Sequence, residues 1–473
     1  MFAKVTPDLV RELAAIVGEA EIQTDDLERY SHDYTEDLRF PPEVVVRPKT
    51  TDHVCRILKL ANELCVPVTA QGGRTSLSGG ALCVHGGIAL SLERMNRIVE
   101  IDRESLFAVV EPAVITQVLQ EEVERLGLFY PPDPASRGSC TIGGNVAHGA
   151  GGPRALKYGV TKDWVTGLVA VLPSGEVVRT GGKLMKNVTG YNLTQLLVGS
   201  EGTLAIVTEI TLKLIPLPRF RKTILVPFGD LVSAARAVAK IFEARIVPCC
   251  VEFMDRAAVE AAEKRKGVDF PAKGAATLLI EVDGNDEEPL DRELEAIAEV
   301  CSAQGAPDVF VAQDERQRTF VWDLRRSIGE AVKSLAAYKE EDTVVPRARL
   351  PELVQAVQEV MAKHGLTAIC YGHVGDGNLH VNILKLNVTE ERWRSGVNDA
   401  VRELFERTIA LGGQITGEHG VGFVQKEFLP LAYPPHHIEL LRSLKAVFDP
   451  KGILNPGKVL PDGGSLRAFG RRA

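Results

Sequence analysis

Two short polar runs in the C-terminal half of the chain carry the residue types that most readily bind a metal ion. The first is His373-Val374-Gly375-Asp376-Gly377-Asn378-Leu379-His380. Its Asp376-Gly377 pair predicts a two-residue hairpin turn, in which both turn positions need φ > 0. Counting outward from that turn pairs His373 with His380, and cross-strand partners have Cβ atoms roughly 5 Å apart. That distance suits two imidazoles that share one metal ion at about 2.0–2.1 Å each.

The second run, Gly417-Glu418-His419-Gly420, would complete such a site. Glu418 would supply a carboxylate ligand and leave one position open for a substrate. His419 cannot easily face the same point, so it is free to act as a base. Two alternatives remain open from the residues alone. A polar hairpin with two histidines is often only a solvated turn, and a Glu-His pair between glycines could equally be a junction between a helix and a loop.

Glycine-rich loops in the N-terminal half indicate a domain that binds an anionic ligand. They span residues 71–80, 138–152 and 199–203, and glycines with φ > 0 let bare backbone N–H groups approach an anion closely. Three such loops could wrap a dinucleotide; the alternative is that each is an ordinary tight turn. A Rossmann fold is disfavoured, because no G-x-G-x-x-G run follows a strand and opens a helix with an acidic residue about 20 positions later.

The composition bounds the class of protein. A chain of 473 residues is expected to form two or three domains. Its 45% hydrophobic and 25% charged residues are ordinary for a soluble globular protein, and its net charge of −8 argues against nucleic-acid binding. None of the eight cysteines forms a C-x-x-C pair, so neither a zinc ribbon nor a self-contained iron–sulfur cluster is expected. Several cysteines lie in apolar runs, so we expect buried, reduced thiols in a cytoplasmic protein. No apolar run is long enough to span a membrane, and Thr6-Pro7 indicates a capped helix and not a signal peptide.

Hydrophobic periodicity predicts three regions. Residues 44–110 alternate strands with a helix at Thr51–Leu64, which has the 3.6-residue period. The glycine density of residues 131–161 predicts no regular helix or strand there. Residues 220–445 alternate strands and helices in a pattern that predicts an antiparallel sheet with helices on one face. Prolines at 216 and 218 mark the boundary before this region, and the Pro/Gly-rich tail at 448–459 is too polar for a core helix.

Together these runs resemble the FAD-linked 2-hydroxy-acid dehydrogenases of the vanillyl-alcohol oxidase superfamily, the group of the glycolate oxidase catalytic subunit, D-lactate dehydrogenase and D-2-hydroxyglutarate dehydrogenase. The resemblance covers roughly residues 10–460. It rests on the glycine loops, on Pro131-Pro132-Asp133-Pro134, on Gly190-Tyr191-Asn192-Leu193 and on Asn455-Pro456-Gly457-Lys458. It implies an α+β protein with a two-part FAD-binding domain at 1–219, a cap domain with an antiparallel sheet and the metal site at 220–445, and a segment at 446–473 that returns to the FAD domain.

The resemblance also assigns site residues. The metal ligands would be His373, His380 and Glu418, with His419 as the base and Arg325, in Trp322-Asp323-Leu324-Arg325, binding the substrate carboxylate; the alternative for Arg325 is a surface helix charge. The FAD-binding residues would be Gly72, Gly73, Arg74, Thr75, Ser76, Gly79, Pro132, Asp133, Thr141, Gly143, Gly144, Asn145, Gly149, Gly151, Gly152, Gly202, Ile206 and Asn455.

The implied enzyme uses FAD and one divalent metal, zinc or else iron or manganese, to oxidise a D-2-hydroxy acid such as D-lactate or glycolate. Its electrons would pass to a separate protein, an iron–sulfur subunit or an electron-transferring flavoprotein. Two departures refine this expectation. Glu340 stands where the hydroxyglutarate branch has a lysine, with Lys339 beside it, which favours a monocarboxylic substrate. The first loop has no histidine in Gly73-Arg74-Thr75, so the FAD is expected to be non-covalent.

Two readings from other classes compete with this enzyme. The metal residues alone would also suit a non-haem oxygenase without flavin. The second alternative is a non-catalytic flavoprotein within an electron-transfer complex. It predicts bound FAD that no hydroxy acid reduces.

Overall fold

The computed structural model describes residues 2–386 and 388–463. Several of its helices begin at a side chain that caps the first turn. Thr6 accepts a hydrogen bond from the N–H of Leu9 and starts helix Pro7–Val17, with proline in its first turn. Thr50 caps helix Thr51–Leu64 in the same way. Both helices bury one apolar face, so the predicted start and the predicted period are confirmed.

The chain divides into two compact units. The first comprises Met1–Gly151, Gly159–Leu217 and Glu418–Ala473, and the second comprises Gly152–Tyr158 and Pro218–Gly417. The second unit therefore ends well before the boundary predicted at residue 445. The predicted return at residue 446 falls inside helix Pro435–Phe448, which begins with proline in its first turn as helix Pro7–Val17 does.

Three sheets form the framework of the first unit. A four-stranded sheet has the order Ile22–Gln23, Val44–Val46, Ile88–Ser91, Val68–Gln71, and its last three strands are parallel. An antiparallel five-stranded sheet has the order Ile98–Asp102, Phe107–Val110, Ile206–Lys213, Val165–Val171, Val177–Gly181. A two-stranded ribbon pairs Ile215–Pro216 with Leu128–Phe129. The helices are Pro7–Val17, Thr51–Leu64, Thr116–Arg125, Ile142–His148, Leu193–Leu197, Leu429–Ala432 and Pro435–Phe448.

A seven-stranded antiparallel sheet forms the second unit, as predicted. Its order is Phe310–Val311, Phe220–Phe228, Ala276–Gly284, Cys250–Asp255, Thr367–Gly372, Asn378–Leu384, Tyr338–Val344. The helices are Ala155–Tyr158, Leu231–Glu243, Arg256–Lys266, Glu287–Ala303, Glu315–Lys333, Leu350–His364 and Glu390–Ala410. In both units together, no described helix is both long and apolar enough to cross a bilayer.

The prediction that residues 131–161 hold no regular element is wrong at helices Ile142–His148 and Ala155–Tyr158. Thr141 offsets the cost of Gly143 and Gly144, because its hydroxyl accepts a hydrogen bond from the N–H of Gly144 at 3.2 Å. The space around Gly143 explains its small side chain, since a Cβ there would lie 2.5 Å from Cβ of Pro112. Packing therefore outweighs helix propensity at this position.

Candidate active site

The hairpin that carries His373 and His380 has a longer turn than predicted. Strand Asn378–Leu384 pairs with Thr367–Gly372 so that His380 lies opposite Tyr371. The turn is the 3₁₀ segment Val374–Asp376, closed by Gly377 at φ 87°. The predicted pairing of His373 with His380 is therefore wrong.

The two histidine rings nevertheless meet. Their centroids lie 5.3 Å apart with the ring planes at 89°. A shift of two residues returns a side chain to the same face of a sheet, and diagonal neighbours on that face remain within reach of each other. One nitrogen of each ring lies within 4.8 Å of the other, which is compatible with binding of one ion.

Each histidine also faces a buried carboxylate through Nδ1. The Nδ1 atom of His373 lies 2.8 and 3.0 Å from the two carboxylate oxygens of Glu252, and that of His380 lies 3.4 Å from Oδ1 of Asp342. For His373, the carboxylate hydrogen-bonded at Nδ1 favours the tautomer with its proton there, which leaves the lone pair on Nε2. This arrangement is typical of histidines that bind a metal through the other nitrogen.

Arg325 shares the carboxylate of Glu252. Its Nη2 atom lies 2.6 Å from Oε2 of Glu252, and the residue is only 5% exposed, so the alternative of a surface helix charge is wrong. Burial would raise the pKa of Glu252, but His373 and Arg325 outweigh it and hold the pKa of that carboxyl below its usual value. In the described part of the chain nothing accepts a hydrogen bond from the buried Nε of Arg325, so the guanidinium keeps donor capacity for a ligand.

Asp342 fixes the end of the second unit beside His380. It accepts hydrogen bonds from Nδ2 of Asn378 at 2.7 Å and from the hydroxyl of Thr416 and the N–H of Gly417 at 2.8 Å each. Gly417 directly precedes Glu418 in the sequence. The backbone at Gly417, the last residue of the second unit, is therefore anchored on the same carboxylate that faces His380.

Glu340 lies on the histidine face of the sheet. It is 8% exposed, and one of its oxygens comes within 4.8 Å of a nitrogen of His380. Lys333 pairs with it at 2.9 Å. Lys339, the neighbour that the sequence suggested as a substitute cation, instead lies 3.7 Å from Glu341, because successive side chains of a strand point to opposite faces.

In the first unit, the first glycine loop offers a row of backbone donors. Gly72, Gly73, Arg74, Thr75, Ser76 and Gly79 follow strand Val68–Gln71. Among the described residues, no acceptor takes the N–H groups of residues 73–77. Arg74 adopts φ 55°, a conformation that turns consecutive N–H groups toward one side, as in anion-binding nests.

The second glycine loop packs directly on the first. A Cβ on Gly72 would lie 2.5 Å from Oγ1 of Thr141, and a Cβ on Gly73 would lie 2.3 Å from the carbonyl oxygen of Ser139. Only glycine fits at these two positions. The structure therefore brings Gly72 and Gly73 together with the run that contains Thr141, Gly143, Gly144 and Asn145.

The remaining predicted FAD residues are placed less uniformly. Asn455 connects two loops, because its Nδ2 donates to the carbonyl oxygens of Gly80 at 2.9 Å and Glu201 at 2.8 Å. Ile206 begins strand Ile206–Lys213 and packs its side chain into the apolar core. Gly152 belongs to the second unit. The others of this set lie in the first unit, and they are Pro132, Asp133, Gly149, Gly151 and Gly202.

Glu418 and His419 begin the last segment of the first unit. The carbonyl oxygen of His419 accepts a hydrogen bond from Oγ of Ser78 at 3.0 Å. A Cβ on Gly151 would lie 2.6 Å from Oε2 of Glu418. Both residues are therefore in contact with glycine loops of that unit.

Sequence reasoning missed Glu252 and Asp342, although each left a signal. Glu252 lies among apolar residues in strand Cys250–Asp255, and a charged residue in such a run is rarely buried unless it is paired. Asp342 lies in strand Tyr338–Val344, which was also missed because Lys339-Glu340-Glu341-Asp342 is polar.

Comparison with known proteins identifies domains of known families in both parts of the chain. The profile of the FAD linked oxidases, C-terminal domain, matches residues 217–459, and that of the FAD binding domain matches residues 42–181. Glycolate oxidase subunit GlcD of Bacillus subtilis is 40% identical over 99% of this chain and 100% of its own length. D-lactate dehydrogenase of Anaerostipes hadrus is 35% identical over 97% of this chain and 98% of its own length. D-2-hydroxyglutarate dehydrogenase of Stutzerimonas stutzeri is 34% identical over 96% of this chain and 99% of its own length.

Solved structures share the fold at low sequence identity. Substrate-bound p-cresol methylhydroxylase superposes with a TM-score of 0.80 at 19% identity, covering 97% of this chain and 98% of that one. Alkyldihydroxyacetonephosphate synthase gives a TM-score of 0.73 at 20% identity, covering 96% and 86%. At this identity the likeness concerns the fold alone.

Proposed function

This chain belongs to the family of FAD-linked oxidases, and we propose that it oxidises a short D-2-hydroxy monocarboxylic acid, of the lactate or glycolate type, to the 2-oxo acid. The relatives act, by their names, on glycolate, D-lactate and D-2-hydroxyglutarate. The observation that carries the proposal is the pair of histidines His373 and His380, whose ring centroids lie 5.3 Å apart. Glu252 is hydrogen-bonded to Nδ1 of His373, and that arrangement prepares Nε2 of His373 for an ion beside His380. A flavin-free oxygenase is incompatible with membership of this family.

His373, His380 and Glu418 would hold a divalent ion, for which we propose zinc. Two imidazoles and one carboxylate form the donor set of many catalytic zinc sites, with one position left for substrate. Gly417 supports the role of Glu418, because its N–H is bound to Asp342 beside His380. When bound, the ion supplies Lewis-acid polarisation of the substrate hydroxyl.

Arg325 and His419 would bind and deprotonate the substrate. The buried guanidinium of Arg325 retains donors for a carboxylate, and a planar fork of N–H groups fixes such a group in one orientation. A ring nitrogen of His419 would take the proton of the substrate hydroxyl, since an imidazole is suited to proton transfer near neutral pH. Glu252 would hold both His373 and Arg325 in place through its two oxygens.

The glycine loops of the first unit would hold the FAD. The N–H groups of residues 73–77 suit the pyrophosphate, and Asn455 would keep the loops at Gly80 and Glu201 together. When bound, the flavin accepts the α-hydrogen of the substrate as hydride. Because the first loop has no histidine, we propose that FAD is held non-covalently.

Glu340 supports a substrate with a single carboxylate. Its charge faces the sheet side that carries His380, and Lys333 already neutralises it at 2.9 Å. A second substrate carboxylate would therefore have to compete with Glu340 for Lys333, which is already paired. We propose D-lactate or glycolate as the substrate class on this ground, with hydroxyglutarate as the weaker alternative.

Electrons would leave to a separate protein. The chain has no C-x-x-C pair to bind an iron–sulfur cluster of its own. The relative from Bacillus subtilis is named as a subunit, which supports a partner such as an iron–sulfur subunit or an electron-transferring flavoprotein. We also propose, from the residues alone, that the protein acts in the cytoplasm and binds no nucleic acid.

An anaerobic visible spectrum tests the proposal. Purified protein should show a flavin spectrum that D-lactate or glycolate bleaches, with D-2-hydroxyglutarate slower. A flavin that none of these acids reduces would favour the non-catalytic flavoprotein. Acid precipitation should leave the yellow colour in the supernatant, because non-covalent FAD is released when the protein unfolds.

Four variants then test the assigned roles. His373→Ala, His380→Ala and Glu418→Ala should each lose zinc and substrate-driven reduction while keeping FAD. His419→Ala should keep zinc, with turnover lowered by about 10²–10⁴ for a lost acid–base group. Zinc loss in His419→Ala, or retained zinc and turnover in Glu418→Ala, would show that the roles are wrongly assigned.

A further inference from the structure

A buried carboxylate with no part in the proposed reaction, Glu201, lies in the glycine loop 199–203 of the first unit. Its two oxygens accept hydrogen bonds from the N–H groups of Val421 at 2.9 Å and Gly422 at 2.8 Å. Its own N–H donates to the carbonyl oxygen of Ala147 at 2.8 Å. Glu201 thus connects helix Ile142–His148 of the second glycine loop with the segment that follows His419.

The fit between Glu201 and that segment leaves no space. A Cβ on Gly420 would lie 2.9 Å from Oε1 of Glu201 and 2.9 Å from Nδ1 of His148, and Gly420 adopts φ 83°. Burial raises the pKa of Glu201, and His148 with the N–H groups of Val421 and Gly422 offsets only part of that effect. A buried carboxylate kept at such a cost indicates that its two hydrogen bonds matter.

Ser78, in the first glycine loop, holds the same segment from another side. Its hydroxyl donates to the carbonyl oxygen of His419 at 3.0 Å, and its own carbonyl oxygen accepts from the N–H of Phe423 at 2.7 Å. The backbone of residues 419–423 is therefore bound to two of the glycine loops at four hydrogen bonds, two from Ser78 and two from Glu201.

We propose that Glu201 and Ser78 are positioning residues for His419, which fix the backbone of the base relative to the loops that hold the flavin. The inference rests on the proposed function for the role of His419. Its physical basis is the steep dependence of rate on geometry, since a misplacement of about 1 Å can cost about 10²-fold in rate. Neither residue need contact the substrate for this effect.

The test compares Glu201→Gln and Ser78→Ala with a matched control, Glu111→Gln. Glutamine keeps the length of Glu201 but turns an NH₂ group toward one of the two N–H groups. Glu111 is also a buried carboxylate of the first unit, but it binds Arg97 and not the segment at 419–423. We expect the rate of flavin reduction by D-lactate, measured per bound FAD, to fall about 10- to 100-fold in Glu201→Gln, with an altered pH profile. Reduction by dithionite should be unchanged, and the control should match wild type.

The double variant adds a second criterion. Because both residues hold one segment, the loss in Glu201→Gln/Ser78→Ala should be smaller than the product of the single losses. A purely structural role would lower the FAD content or the melting temperature and leave the rate per bound FAD and its pH profile at wild-type values. That result overturns the proposal.

Hydrogen exchange separates this inference from the proposed function. In FAD-loaded protein without substrate, the peptide covering residues 418–424 should exchange faster in Glu201→Gln than in wild type and Glu111→Gln. If no hydroxy acid reduces the wild-type flavin, the proposed function fails. The exchange measurement still decides whether Glu201 anchors the backbone of residues 418–424. Equal exchange of that peptide in the three proteins overturns the proposal.

Discussion

Glu252 and Asp342 matter at the scale of single residues because each lies at Nδ1 of one proposed metal ligand, Glu252 at His373 and Asp342 at His380. Neither would bind the proposed ion. Glu252 faces Nδ1 of His373 with both oxygens and pairs with Arg325 through one of them. A single buried carboxylate thus orients one proposed metal ligand and one proposed substrate-binding residue.

Glu252→Gln should therefore weaken zinc binding without removing any ligand. Loss of a carboxylate behind a metal-bound histidine typically costs about 10–100-fold in affinity. Competition with a chelator measures this for the FAD-loaded protein. The matched control is Glu281→Gln, a carboxylate of the same sheet that is fully buried and binds Thr223 and Trp322. Equal zinc affinity in the two variants would contradict the role of Glu252.

Arg325→Lys should lower kcat/KM for D-lactate, because an ammonium cannot form the two parallel hydrogen bonds of a guanidinium with a carboxylate. A lost hydrogen bond to a charged group corresponds to about 1.5–3 kcal/mol, so the decrease should be about 10- to 100-fold. Arg326→Lys is the natural control, since Arg326 lies over the ring of Trp322 at 5.0 Å. Initial rates of both variants with a dye acceptor provide the measurement, and similar losses would contradict the assignment.

At the scale of elements, the sequence predicted what periodicity and turn residues encode. Helix Thr51–Leu64 was predicted with the bounds that the structure has. The turn after His373 was predicted wrongly. Asp376-Gly377 is a signal for a two-residue turn, whereas the chain forms a 3₁₀ turn closed by Gly377. The rings of His373 and His380 still meet. The predicted strand register was wrong by two residues, and a shift of two residues keeps a side chain on the same face of the sheet.

Tertiary contacts explain the other local errors. Helix Ile142–His148 contains two glycines that propensity disfavours, yet Thr141 caps it and Pro112 leaves room only for glycine at 143. Strand Tyr338–Val344 is polar because Glu340 and Asp342 face the histidines. Such information lies in the partners of a residue and not in its neighbours along the chain.

The contact between the two glycine loops can be tested at this scale. Gly73→Ala should reduce FAD affinity and the melting temperature, because the added Cβ would lie 2.3 Å from the carbonyl oxygen of Ser139 and push the loops apart. Gly229→Ala is the control, since a Cβ there meets nothing within 4 Å. FAD titration of the apoproteins measures the effect. An unchanged dissociation constant for Gly73→Ala would contradict the role of this contact in FAD binding.

At the scale of the whole molecule, the chain passes between its two units more often than the sequence indicated. Residues 152–158 belong to the second unit although glycine loop residues precede them and the first unit follows. Lys157 and Tyr158 bind the buried carboxylate of Asp283, Lys157 at 2.5 Å and Tyr158 at 2.7 Å. No local pattern marks this excursion, because its partner lies more than a hundred positions away in the sequence. Composition and periodicity could indicate two domains but not this insertion.

Lys458 should make the stability of the protein depend on pH in the alkaline range. Its Nζ is buried and donates to the carbonyl oxygen of Leu82 at 2.6 Å and to Oδ1 of Asn455 at 2.9 Å. Burial lowers the pKa of Lys458 from 10.5 to about 8. Below about pH 8 the lysine is charged in both the folded and the unfolded state. Between about pH 8 and 10.5 the unfolded chain binds more protons than the folded protein, so the free energy of unfolding rises with pH.

The free energy of unfolding of wild type relative to Lys458→Met should therefore increase across that window, by up to about 3 kcal/mol for a shift of this size. Denaturant unfolding at several pH values from 7 to about 10.5 measures the difference. Lys451→Met is the control, an exposed lysine of the same segment that binds the carbonyl oxygen of Asn62, and its difference from wild type should stay flat. A flat difference for Lys458→Met as well would mean that the buried amine keeps its ordinary pKa, because water reaches it or Asp33 and Glu201 compensate its burial in full.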